Sequence, residues 1–228
     1  MTAQHGLTAA QLMRLWEDGR ASDRRFVDDV PLGVRNTTLL ELRQATFGDR
    51  IECFFTCGTC GERLEFEITV SGILSALPDA GPFVFEEDEW RIRFRELTTS
   101  DLAAAAMAGN VDAARARLLE RSIEAAQCGG ENVAADEIPD EVIERFAAAL
   151  AAADPAADLA FALTCPQCEA HEEALLDVGE FLWREISAQA RRLLSDVDVL
   201  ARTYCWPESE ILAMSSARRQ AYLELAGR

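Results

Sequence analysis

The chain is poor in the features that would place it in a membrane, on a nucleic acid or among the common hydrolases. No apolar run approaches the roughly 20 residues that cross a bilayer, so no membrane span is expected. No basic stretch followed by an apolar one opens the chain, so no secretory leader is expected and the protein is read as cytoplasmic. Positive charge is scarce: 22 basic residues stand against 40 acidic ones, giving a formal net charge of −18 and a pI near 4.5. A nucleic-acid binder must neutralise phosphates, so this balance argues against nucleic acid unless a basic patch is segregated. The last 45 residues, from Arg184, are nearly neutral, with seven arginines and six acids, and the surplus acid lies upstream. Histidine is limited to His5 and His171. There is no Gly-x-Ser-x-Gly elbow, no phosphate loop and no His-Glu-x-x-His helix. No enzyme is expected on these grounds.

Apolar residues make up 49% and charged residues 27%, an ordinary balance for a soluble protein with a core. Seven cysteines in a chain read as cytoplasmic suggest metal ligands or buried thiols rather than disulfides. Four of them form two Cys-x-x-Cys knuckles, Cys57-Gly-Thr-Cys60 and Cys165-Pro-Gln-Cys168. Structural zinc takes four tetrahedral ligands, often all thiolates, and each knuckle supplies half of such a set. Both knuckles follow a threonine and both lie between alternating segments. Ile51, Cys53 and Phe55 lead into the first, and Leu64, Phe66, Ile68 and Val70 return from it. Leu159, Phe161 and Leu163 lead into the second, and Ala174, Leu176 and Val178 return.

That is the layout of a zinc ribbon, with Cys57, Cys60, Cys165 and Cys168 as structural zinc ligands. The two halves are split by 105 positions between Cys60 and Cys165. A redox pair of the thioredoxin type fits less well, because that motif opens a helix. A degenerate site without metal is the other alternative. A catalytic zinc needs an open position, and four thiolates leave none. His171 follows Cys168 closely but reads as an exposed strand residue. Cys53 lies on the apolar phase of its strand and is the reserve ligand. Cys128 and Cys205 read as core.

Elsewhere the pattern is mostly helical. Helices are expected over Leu7–Trp16, from a cap at Asn36 or Thr37 to Phe47, and over Ser100–Gln127 with a break at Gly109-Asn110. Others follow over Pro139–Ala153, Phe181–Arg202, Pro207–Met214 and Ala217–Ala226. The segment 19–29 reads as a loop. A second hairpin joins Phe83 and Phe85, through the acidic turn Glu86–Glu89, to Trp90, Ile92 and Phe94. The acidic runs Glu86–Glu89 and Glu172-Glu173 read as solvated. Arg91, Arg93 and Arg95 share one strand face and either pair with nearby acids or contact an anion. The terminal residues Trp206, Ile211, Leu212, Met214 and Tyr222 either pack as core or dock into a partner groove.

Several segments occur together in one order: TCGTCGERLEFEI, RFRELTTSDLAA, ALTCPQC and the tail from Phe181 to Leu225. In this the chain resembles a family of baseplate proteins of phage-like contractile injection systems, similar to the baseplate hub assembly chaperones of T-even-type phages. The likeness runs from about Pro31 onward. It implies a role in building the baseplate, other baseplate or hub proteins of the same gene cluster as partners, and possible incorporation into the particle. It also carries the zinc role onto Cys57, Cys60, Cys165 and Cys168.

The expected fold class is α+β: a split four-cysteine zinc ribbon with an inserted hairpin and helices, and a helical C-terminal region. The expected domains are an N-terminal helical segment (1–50), ribbon halves at 51–80 and 158–180, an insertion at 81–157 and the C-terminal region at 181–228. The expected function is a non-enzymatic structural or chaperone-like baseplate component with structural zinc. A zinc-ribbon nucleic-acid-binding or regulatory protein is the alternative.

Overall fold

A computed structural model describes residues 7–21 and 30–227. His5 and most of the expected 19–29 loop lie outside these residues. In chain order the elements begin with α1 (Ala9–Ala21), α2 (Leu32–Phe47), β1 (Arg50–Thr56), β2 (Arg63–Thr69) and α3 (Val70–Ala76). Then come β3 (Val84–Glu87), β4 (Trp90–Phe94), α4 (Thr99–Ala106), α5 (Val111–Ser122), β5 (Ile123–Cys128) and β6 (Glu131–Val133). The remainder is α6 (Asp140–Ala153), β7 (Ala160–Thr164), β8 (His171–Leu175), α7 (Val178–Tyr204), α8 (Glu208–Ala213) and α9 (Ser216–Leu225). The α+β class is as expected.

The chain divides into two compact units. One is helical and holds α1, Glu41–Asp49 and the chain from Asp177 onward. Its spine is α7. Asp177 caps this helix by accepting the N–H of Glu180, and Val178, Leu182, Ile186, Ala190, Leu193 and Leu200 are buried along one stripe. The helix starts three residues before the expected Phe181, because the side chain of Asp177 offers an N-cap. It ends where Cys205 takes a left-handed conformation, φ 57°. Arg43 is buried and makes a two-pronged pair with Glu185, at 2.9 and 2.8 Å, while its Nη1 donates to the Gly48 carbonyl. Helices α8 and α9 fold back on the end of α7 around Leu200, Ile211 and Leu223.

The other unit holds the start of α2 and Arg50–Leu176. Its centre is an antiparallel sheet in the order β3-β4-β5-β6. Phe85, Ile92, Phe94 and Ala126 of this sheet meet Val142, Phe146 and Ala153 of α6 in one core. The Phe94 and Phe146 rings pack edge to face at 5.2 Å. The helix expected to run to Gln127 ends at Ser122, and Ile123–Cys128 is a strand. Alanine-rich sequence favours helix. Here the tertiary partner decides, because Ala126 closes the core opposite Ile92.

Helix α2 starts at Leu32, not at Asn36 or Thr37. Asn36 is instead buried and its Nδ2 donates to the Ala156 and Ala157 carbonyls at 2.8 and 3.1 Å. Beside it, the Gly33 N–H donates to Asp154 Oδ2 at 2.9 Å. A Cβ on Gly33 would fall 1.8 Å from the Asp154 carboxylate, so only glycine admits this approach. Two further two-stranded sheets, β1-β2 and β7-β8, carry the knuckles.

Candidate metal centre

Each knuckle is the turn of a hairpin whose register is continuous up to it. In β1-β2, Ile51 faces Ile68, Cys53 faces Phe66 and Phe55 faces Leu64, ending at Thr56 opposite Arg63. In β7-β8, Phe161 faces Ala174 and the pairing ends at Thr164 opposite His171. Apolar cross-strand pairs on one face fix the register, because a slip of one residue would expose them all.

The two turns are built alike, residue for residue. Cys57 N–H donates to the Glu62 carbonyl and Gly61 N–H to the Cys57 carbonyl, at 2.8 and 2.9 Å. Cys165 N–H donates to the Ala170 carbonyl and Glu169 N–H to the Cys165 carbonyl, both at 2.9 Å. The residue after the second cysteine is left-handed in each, Gly61 at φ 77° and Glu169 at φ 58°. Glycine takes that conformation freely and glutamate does not.

The turns bring all four sulfurs together. Every ligand atom of Cys57, Cys60, Cys165 and Cys168 lies within 4.8 Å of the others. Cys57 Sγ is 3.7 Å from Cys168 Sγ, and Cys60 Sγ is 3.6 Å from Cys165 Sγ. Four thiolates at about 2.3 Å from a tetrahedral ion stand about 3.8 Å apart. The cluster can therefore hold a metal ion through four sulfur ligands. Cys57 and Cys165 are buried, while Cys60 and Cys168 are exposed.

The surroundings polarise the four thiols unequally. At Cys165, burial opposes ionisation, but the N–H groups of Cys168 and Gln167 and the thiols of Cys168 and Cys60 outweigh it and bring it down to about 7. At Cys60 the N–H of Glu62 pulls downward. The Cys168 thiol, burial, and the thiols of Cys165 and Cys57 overcome it and push it up to about 12. Cys57 is also raised: the N–H of Cys60 works against this, and burial and the Glu172 carboxylate drive it. Without a cation, four neighbouring sulfurs cannot all ionise, whereas a bound metal would favour every thiolate.

Glu172, read as part of a solvated acidic run, belongs to this site. Its Oε1 accepts the Gly58 N–H at 2.9 Å and lies 3.3 Å from Cys57 Sγ. The period-two phase of β8 was the available signal, since Glu172 shares its phase with Ala174 and not with exposed Glu173. His171 is exposed, with Nδ1 3.1 Å from Thr164 Oγ1, and lies outside the cluster. Cys53 is half-buried on its strand and also stands outside.

The C-terminal residues are placed as follows. Ile211 is fully buried, and Trp206 and Tyr222 pack against its cluster. Trp206 stacks on Tyr204 at 4.6 Å and meets Tyr222 edge to face at 4.7 Å. Leu212 and Met214 instead line a cavity of about 680 Å³ within the helical unit, with Leu12, Phe47 and Leu193.

These features describe an α+β chain with a four-sulfur cluster able to hold a metal ion. Residues 20–183 match the family model of the T4 bacteriophage base plate protein, a span that includes all four cysteines. The chain belongs to that family. The matched span stops at Trp183, so most of the tail that contributes to the resemblance lies beyond it. Comparisons with curated proteins and with solved structures give no match. No described helix is long and apolar enough to cross a membrane.

Proposed function

We propose that this protein is a non-enzymatic, chaperone-like assembly component of the baseplate of a contractile, phage-tail-like injection system. In this reading Cys57, Cys60, Cys165 and Cys168 hold one structural zinc ion, and the two knuckled hairpins are the halves of a split zinc ribbon. The observation that carries the reading is the convergence of sulfurs 105 positions apart into one four-sulfur cluster in a chain of the base plate family. Zinc supplies no chemistry to a substrate there; it ties distant chain segments together. Its partners are other baseplate or hub proteins of the same gene cluster, and Leu212 and Met214 offer them apolar contact from the helical unit.

The test has two arms. Purified protein is expected to carry one zinc per chain, and its cobalt-substituted form to show the absorption of four sulfur ligands. Deleting the gene is expected to leave sheath and tube proteins at normal levels with few complete particles. A stoichiometric metal with normal particle numbers would remove the assembly role and keep the metal site; the opposite result would do the reverse.

A further inference from the structure

The sheet β3-β4-β5-β6 buries one face against α6, and its other face carries a recess of about 380 Å³ lined by Arg91, Arg93, Ala125, Gln127 and Asn132. A solvated polar face is the ordinary fate of one side of an antiparallel sheet. Two observations set this one apart. It is concave, because Ala125 is small between longer neighbours. Among the described residues its lining is cationic and amide with no carboxylate, in a chain whose formal charge is −18.

The three arginines of β4 and its end have separate fates. Arg95 turns to the buried Asp101, at 2.7 Å. Arg91 stands opposite Glu86 and pairs with it at 3.1 Å, both side chains being largely exposed. Arg93 stands between Val84 on β3 and Ala125 on β5, neither of which offers an acceptor side chain. The register shift between Arg93 and Phe94 makes Glu124 the extra residue of a bulge beside Ala125, and Glu124 forms no ion pair with Arg93. Arg93 has no ion-pair partner among the described residues. The chain has no lysine, so each of its 22 cations is a guanidinium, the group that grips a carboxylate with two parallel hydrogen bonds.

We infer that this recess is a docking surface for an acidic segment of a partner protein, with Arg93 taking a partner carboxylate and Arg91 assisting. Glu86 leaves Arg91 partly neutralised, so Arg93 carries most of the discrimination. The surface is independent of the cysteine cluster, and its failure would leave the baseplate reading standing.

A labelled octaglutamate peptide serves as the probe, read by fluorescence anisotropy at low and moderate salt. The full-length protein is expected to bind it with affinity that falls as salt rises. Arg93→Glu is expected to weaken binding by about tenfold or more. Arg192→Glu, the same charge change on an exposed residue of α7, is expected to have little effect. Arg93 is exposed, so the variant should keep the melting temperature of the parent; Arg93→Gln replaces it if it does not. Absence of peptide binding, or equal loss in Arg93→Glu and Arg192→Glu, would overturn the inference. Tighter, Arg93-dependent binding of a labelled oligothymidylate would overturn it in favour of nucleic acid.

Discussion

Asp101 is wholly buried and yet ionised. Its carboxylate accepts from Arg95 at 2.7 and 3.0 Å, from Arg121 at 2.6 Å, and from the Thr98 N–H at 2.9 Å. Thr98 answers in a capping box that starts α4. Burial alone would raise the acid. The Arg95 guanidinium, the Thr98 N–H and Arg121 overcome burial and hold it well below the usual carboxylate range. A group whose folded pKa is depressed stabilises the fold above its unfolded pKa, about 3.9 for aspartate. That stability is lost as pH falls from there toward the folded value. Asp101→Ala is expected to cost about 3 kcal/mol in denaturant melts, the low end for a broken buried pair. The low end applies because both guanidiniums are more than a third exposed and can be hydrated. Asp101→Asn should flatten the acid limb of stability below about pH 4, and an unchanged limb would refute the assignment.

At the scale of the element, the two knuckles invite comparison because one has glycine where the other has glutamate. Gly61 and Glu169 occupy the same left-handed position. A side chain there costs about 1 kcal/mol or more, partly offset by the greater unfolded-state freedom of glycine. Glu169→Gly is expected to stabilise the protein by about 0.5–1 kcal/mol, and Gly61→Ala to destabilise it by a similar amount. Thermal melts of the two single variants check the signs. If both moved stability in one direction, the equivalence of the turns would fail. The strands around these turns were legible from the period of two through Ile51, Cys53 and Phe55. The strand β5 was not, since Ile123–Cys128 continues an alanine-rich helical pattern and becomes a strand only by pairing with Trp90–Phe94.

For the molecule, the cysteine cluster joins segments that local contacts would leave separate. Binding of a metal to a site that the unfolded chain lacks is folding free energy. Stripping the metal with a strong chelator is expected to lower the melting temperature by about 10 °C or more, with recovery on adding zinc. Cys57→Ser should reproduce the loss without recovery. Because the neighbouring thiols and burial push Cys60 upward when no cation is present, metal uptake is expected to release protons, and affinity to fall with acid. A melting temperature indifferent to chelation would show that packing alone holds the two hairpins together.

The sequence by itself determined the knuckles, their strands, the long α7 stripe and the acidic balance, because these are written in short periods and fixed spacings. The paired knuckles also pointed to one four-cysteine site across 105 positions; only the tertiary structure decided how closely the sulfurs approach, that Glu172 joins them and that Asn36 is a buried tether rather than a cap. It also decided which arginine of the β4 run has no ion-pair partner among the described residues. Such outcomes depend on which distant residues become neighbours, and a linear pattern carries no record of that.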